Sequence, residues 1–333
     1  MQAAVPRYSD RAGRHPVPRV LLKAAGFVMA GGGLVLWGSP PAALAAGILF
    51  TFLVGPPFAR GSRQSTQRLL QACVALLGFG MNLPVVLRLG AKGSLFAALT
   101  IGATLLLGYW LGPKLSLDRK TSTLLSVGTA ICGGSAIAAA SSVIAASEGQ
   151  IAVSIGTIFL LNAVALYLFP LVGHWTHLSQ AQFGLWAGIG IHDISSVVGA
   201  GMSYGPGALA TATAVKLART LWIVPVTLGM ARGFRRTAAP GCRSAKITIP
   251  WFIAFFLLAS LLRSCIPAVE IWSAPISDVA RRGMVLVLFL IGTSLSLKTL
   301  QAVGWRIVVA GLALWGFIGL GSLLLIRLLG LAA

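Results

Sequence analysis

Apolar residues run through this chain in long blocks that carry no polar stripe. The blocks fall at 21–37, 42–58, 69–87, 94–112, 121–147, 152–172, 183–203, 208–230, 248–266, 282–298 and 306–326. Most approach the roughly 20 residues that a helix needs to cross a hydrocarbon core. Turn residues separate them: Ser39-Pro40-Pro41, Gly112-Pro113 and Gly205-Pro206-Gly207. The pattern predicts an all-α, polytopic membrane protein of ten or eleven transmembrane helices. It has one transmembrane domain over 21–330, preceded by a basic tail at 1–20.

Composition agrees. The chain is 57% hydrophobic and 10% charged, with a mean hydropathy of +0.89, so lipid is its solvent. A formal charge of +20 in a soluble protein would suggest nucleic acid. Here the basic residues cluster between apolar blocks, and no nucleic-acid partner is expected. With the N-terminus in the cytoplasm and the blocks alternating, eighteen of the 26 Lys and Arg residues fall inside. Six fall outside, and Lys216 and Arg219 lie within a block. That asymmetry follows the positive-inside rule and predicts an inner (plasma) membrane protein with its N-terminus cytoplasmic. On this topology His174 and His177 fall on the cytoplasmic side. Ala43-Leu44-Ala45 mimics a signal-peptidase site, but a second apolar block runs through it, so the first helix reads as a retained span.

Cys73, Cys132, Cys242 and Cys265 have neither disulfide nor zinc spacing. They read as small apolar residues. No cofactor or metal is expected, with a proton or sodium left open as coupling ion. Leu77-Gly78 with Leu83 to Gly90 resembles Ile291-Gly292 with Leu297 to Gly304. The copies lie an odd number of blocks apart, as inverted repeats require.

Three polar constellations fall at mid-block, where polar groups are costly. The first holds Thr129, Gly133, Gly134 and Ser135. A glycine pair there loosens the helix. Ser135 is then placed to cap the second half, whose amides would form an anion site. Close helix packing through small residues is the structural alternative. The second is His192-Asp193, with Asp193 the only carboxylate near the centre of any block. It must be protonated, paired or hydrated, and His192 could share its proton. A structural ion pair is the plainer reading. The third is Lys216 and Arg219, spaced i, i+3 on one helix face. Asp193 neutralises one of these cations, and the other then calls for an anion. Snorkelling explains such cations near helix ends but not at mid-span. Asn82 and Asn162 are further polar residues within blocks, open either to lining a path or to bonding a neighbouring helix.

These residues carry a resemblance. Leu76 to Phe79, Gly128 to Ile137, Trp186 to Asp193 and Val215 to Arg219 resemble the YeiH-type family of bacterial inner-membrane proteins, for which sulfate export has been proposed. The resemblance runs through most of the chain. It implies a secondary transporter with inverted repeats and broken crossing helices, similar in fold to bile-acid/sodium symporters and sodium/proton antiporters, with sulfate or sulfite as candidate substrate. Family members often follow Ile-His-Asp with Thr-Ser-Gln, where this chain has Ile194-Ser195-Ser196, which leaves the exact ligand open.

The expected function is therefore secondary transport, as an anion exporter, of a small oxyanion. Thr129, Gly133, Gly134, Ser135, His192, Asp193, Lys216 and Arg219 would bind the substrate. The expected partners are that anion and the bilayer, with a homodimer open to it. A cation antiporter working through Asp193 is the rival. A membrane enzyme finds no support, since His192-Asp193 has no second His beside it and no HExxH motif occurs, and a scaffold needs no mid-span charges.

Overall fold

A computed structural model describes residues 17–54, 62–234, 251–294 and 304–331. Among them all regular structure is helical, so the chain is an all-α polytopic membrane protein. Four stretches are long and apolar enough to cross a bilayer by length and composition: Leu83–Lys114, Glu148–Trp175, Pro206–Arg232 and Trp305–Leu328. Polarity is inverted relative to a soluble protein. Leu99, Leu171 and Leu320 are 72%, 67% and 64% exposed, whereas Lys216 and Arg219 are fully buried. Only an apolar solvent tolerates that surface.

The chain opens with α1 (Val17–Trp37) and α2 (Pro40–Val54). Next come α3 (Ser62–Leu77) and a short 3-10 turn, Gly78–Gly80. The expected span over 69–87 ends at that turn. Pro84, which lacks an amide hydrogen and suits a first helical turn, then starts α4 (Leu83–Lys114). The Leu83 amide donates to Ser264 Oγ at 2.8 Å. α12 (Trp251–Cys265) and α13 (Pro267–Ser294) pack beside α3. α2 lies against α13 where Gly47 meets Gly292, each so close to the other's backbone that a Cβ would collide. Small residues of this kind let membrane helices approach. Of the proposed repeat, Leu297 to Val303 lie outside the described residues, as do Cys242 and residues 1–16 of the basic tail.

The middle of the chain departs most from expectation. The block at 121–147 forms two helices, α5 (Arg119–Ala130) and α6 (Gly134–Val143). They double back on each other. Lys120 Nζ donates to Ala145 O at 2.7 Å, and Gln150 Nε2 to Asp118 at 2.6 Å. The start of α5 and the end of α6 therefore lie side by side, and the segment is a re-entrant hairpin instead of a span. After α7 (Glu148–Trp175), the block at 183–203 does the same as α8 (Gln180–Gly190) and α9 (Ile194–Tyr204). Gly207 N donates to Gln180 Oε1 at 2.7 Å, and Tyr204 OH to Leu178 O at 2.6 Å. α10 (Pro206–Thr220) and α11 (Ile223–Phe234) follow, and α14 (Trp305–Leu328) closes the described chain.

Because α7 joins the two hairpins, they enter from opposite ends of it. His174 and His177 consequently lie at the far end of α7 from the mouth of the first hairpin, not on the same side. Serine capping boxes start α7 and α8: Ser147 with Gln150, and Ser179 with Gln182.

Candidate substrate site at the hairpin tips

The two hairpins meet tip to tip. The first turns at Ile131-Cys132-Gly133, with Gly133 at φ 67° and ψ −124°. That positive-φ conformation is open to glycine and strained for other residues. A Cβ here would come within 3.1 Å of Ile158 and 3.5 Å of the His192 carbonyl oxygen. The glycine thus serves both the turn and the close approach of the second tip, Ile191-His192-Asp193.

At each tip one helix ends and another begins. The ending helices, α5 and α8, present carbonyls without intrahelical partners and carry the negative end of their dipoles. α10 supplies both cations to those ends. Lys216 Nζ donates to Ile131 O at 3.2 Å and to Ile191 O at 2.5 Å, bridging the hairpins. Arg219 Nε donates to Ala130 O at 2.6 Å and Nη2 to Thr129 O at 3.4 Å, while Nη1 donates to Ile189 O. Trp315 Nε1 takes the remaining tip carbonyl of α8, Gly190 O, at 3.1 Å. Lys216 and Arg219 therefore tie both tips to α10, which packs along α4, α8 and α9.

The beginning helices differ. α9 is capped by Asp193, which accepts from Ser196 N at 2.6 Å. This corrects two expectations. Asp193 forms no ion pair with Lys216 or Arg219; among the described residues Asp278–Arg282 is the ion pair found. Its carboxylate is engaged by the α9 amides, and the cations reach carbonyls instead. Nor does His192 share a proton with Asp193, since both imidazole nitrogens are buried without a hydrogen-bond partner among the described residues. α6 has Gly133 at its N-cap and no side-chain cap. Ser135 does not cap it, another correction: its Oγ lies 2.9 Å from Cys132 Sγ. The N-terminus of α6, with Gly134 and an exposed Ser135, is thus a positive helix end that no side chain among the described residues caps.

All eight expected residues thus lie at or beside the tips. Asn162, left open by the sequence between lining a path and packing a helix, belongs with them. Its Oδ1 accepts from His192 N at 3.0 Å, and its Nδ2 is buried and unpartnered. So is Thr129 Oγ1. Such orphans are rare in folded proteins, and here four atoms of three residues flank the tips. The signal for Asn162 was its place at the middle of a block. Asn82 stands apart, as the N-cap of α4 with no side-chain cap bond. No cluster of three or more His, Cys, Asp or Glu able to hold a metal occurs among the described residues.

The comparisons agree with this membrane architecture. Residues 37–311 match the family described as Conserved hypothetical protein 698. A "UPF0324 membrane protein" of Porphyromonas gingivalis is 44% identical over 88% of this chain and 88% of its own length. One from Bacteroides thetaiotaomicron is 43% identical, over 86% of each, and one from Geobacter sulfurreducens 41% identical, over 88% of this chain and 92% of its own. No solved structure matches the chain. With these matches spanning the hairpins, α7 and α10, the chain belongs to the UPF0324 membrane protein family, the YeiH-type family.

Proposed function

We propose that this protein is a secondary carrier, not an enzyme, that moves a small sulfate- or sulfite-like oxyanion across the bacterial inner membrane. The observation that carries the reading is the pair of opposed re-entrant tips pinned by two fully buried cations. The tips hold two cations, Lys216 and Arg219, and one carboxylate, Asp193, which with all three ionised is an excess of one positive charge. That excess lies beside the uncapped end of α6 and the orphaned groups of Thr129, Asn162 and His192. An oxyanion answers both the charge and the donors.

Irregular backbone at membrane depth is tolerated where protein or a watery cavity lines it. Hairpins entering from opposite sides bring their tips together at one central place, the arrangement that alternating access would use. Taking the N-terminus as cytoplasmic, the mouth of the first hairpin, with Lys114, Arg119 and Lys120, faces the cytoplasm and obeys the positive-inside rule. The second hairpin and His177 then face outward. Export is what the family resemblance implies; net direction follows the gradients.

The test is thermal unfolding of purified protein in detergent with sulfate, sulfite, sulfonates, carboxylates and sodium. A ligand at 100 times its Kd stabilises by about 2.7 kcal/mol. Stabilisation by an oxyanion, abolished in Lys216→Ala and Arg219→Ala, is expected. A response to sodium alone, lost in Asp193→Asn, would replace this reading with a cation antiporter.

A further inference from the structure

The hairpin tips carry a stricter specification than a small oxyanion, resting on the carrier reading above. We propose that the substrate is a singly charged oxyanion that keeps one O–H, of the hydrogen sulfite or hydrogen carbonate kind, and that a dianion such as sulfate is rejected.

Charge comes first. The charged groups at the tips are Lys216 and Arg219 from α10 and Asp193 from the second hairpin. The first tip adds only the thiol of Cys132, α7 adds the neutral Asn162, and α14 the neutral Trp315. Asp118, Lys120 and Glu148 lie at the hairpin mouth, a hairpin length away. With both cations protonated and Asp193 ionised, one anionic charge balances the set. A second would leave an uncompensated negative charge at a buried site, which is costly.

Hydrogen bonding narrows the class further. Lys216 has three N–H groups and two carbonyl partners; Arg219 has five and three partners. Both keep donors in hand, and Asn162 Nδ2 adds more. Acceptors are fewer. His192 stands at the second tip, fully buried, where a third cation beside Lys216 and Arg219 would repel both. In its neutral form it has one donor and one acceptor nitrogen, and both are buried without partners. An oxyanion made only of acceptors satisfies the donors and leaves the acceptor nitrogen bare, at a penalty of about 1–3 kcal/mol. An oxyanion with an O–H satisfies both. A site built to bond a substrate hydroxyl strongly rejects analogues that lack it.

Purified full-length protein in detergent separates the possibilities by ligand-induced thermal stabilisation. The probes are hydrogen carbonate, sulfite at about pH 6 and about pH 8, nitrate, methanesulfonate and sulfate. Nitrate and methanesulfonate match the charge without the hydroxyl. Sulfite passes from monoanion to dianion across this range, so its apparent affinity should fall about tenfold per pH unit once the proton is lost. Hydrogen carbonate and sulfite at the lower pH should bind at least about tenfold more tightly than nitrate, methanesulfonate or sulfate. His192→Phe should erase that preference, weakening hydrogen carbonate at least about tenfold more than nitrate. If sulfate, nitrate or methanesulfonate binds as tightly as hydrogen carbonate, the proposal is wrong and the anion carrier stands. If no anion binds, both fail.

Discussion

Asp118 accepts a hydrogen bond from Gln150 Nε2 at 2.6 Å although 32 residues of chain separate them. A helix of the intervening length would hold these residues a membrane's thickness apart at 1.5 Å per residue. Their contact makes the segment a re-entrant hairpin, and Gln180 beside Gly207 does the same for the second.

This topology is open to a sidedness experiment. Single cysteines replacing exposed Ser116 and Glu148 in a cysteine-free background should be labelled by an impermeant maleimide from the same face of sealed vesicles. His177→Cys should be labelled from the opposite face. Labelling of positions 116 and 148 from opposite faces would restore a membrane-crossing helix over 121–147.

The two glycines of the first tip should separate cleanly. Gly133→Ala forces a side chain onto a positive φ, a strain of about 1–3 kcal/mol, and brings its Cβ within 3.1 Å of Ile158. Gly134→Ala meets nothing closer than Phe159 at 3.9 Å. Thermal unfolding should show a clear loss for the first and little change for the second. Equal effects would contradict the turn geometry.

How far the sequence revealed this site depends on the residue. Gly133-Gly134 marked the first break because glycine loosens a helix, and Lys216 and Arg219 stood out because lysine and arginine are so costly at mid-span. The second break was hidden. Asp193 drew attention as a buried charge, whereas its physical work is an N-cap, an Asp followed three residues later by the Ser196 amide. The re-entrant paths were not legible at all. A block of 21 to 27 apolar residues has the same length and composition whether it crosses the bilayer or doubles back, and only contacts distant in sequence tell them apart. Carbonyl partners for the two cations were likewise invisible, since backbone acceptors leave no mark in a sequence.

Removing the lysine should loosen the tips. Lys216→Met leaves the Ile131 and Ile191 carbonyls without their donor, at about 1–3 kcal/mol for each unsatisfied acceptor, partly offset because no charge is buried. A lower melting temperature should accompany faster amide exchange at both tips, measured by hydrogen exchange with mass spectrometry. Faster exchange at one tip only would show that Lys216 does not bridge the hairpins.

Asp193→Asn should alter charge while keeping structure, because asparagine caps helices as well as aspartate does. Stability should change by less than about 1 kcal/mol, and the tips gain one unit of positive charge. Sulfate binding should then strengthen relative to monoanions in the thermal-shift series. Unchanged anion preference would remove Asp193 from the charge balance of the site.

The carrier reading itself is tested most directly by counterflow. Purified protein in proteoliposomes preloaded with unlabelled sulfite at about pH 6, the monoanion range preferred above, should accumulate external radiolabelled sulfite transiently. Arg219→Lys, which keeps the charge and loses the planar fork, should reduce that uptake strongly, and Lys216→Ala should abolish it. Uptake by wild-type vesicles no greater than by protein-free vesicles, across sulfite, sulfate and hydrogen carbonate alike, would contradict the account.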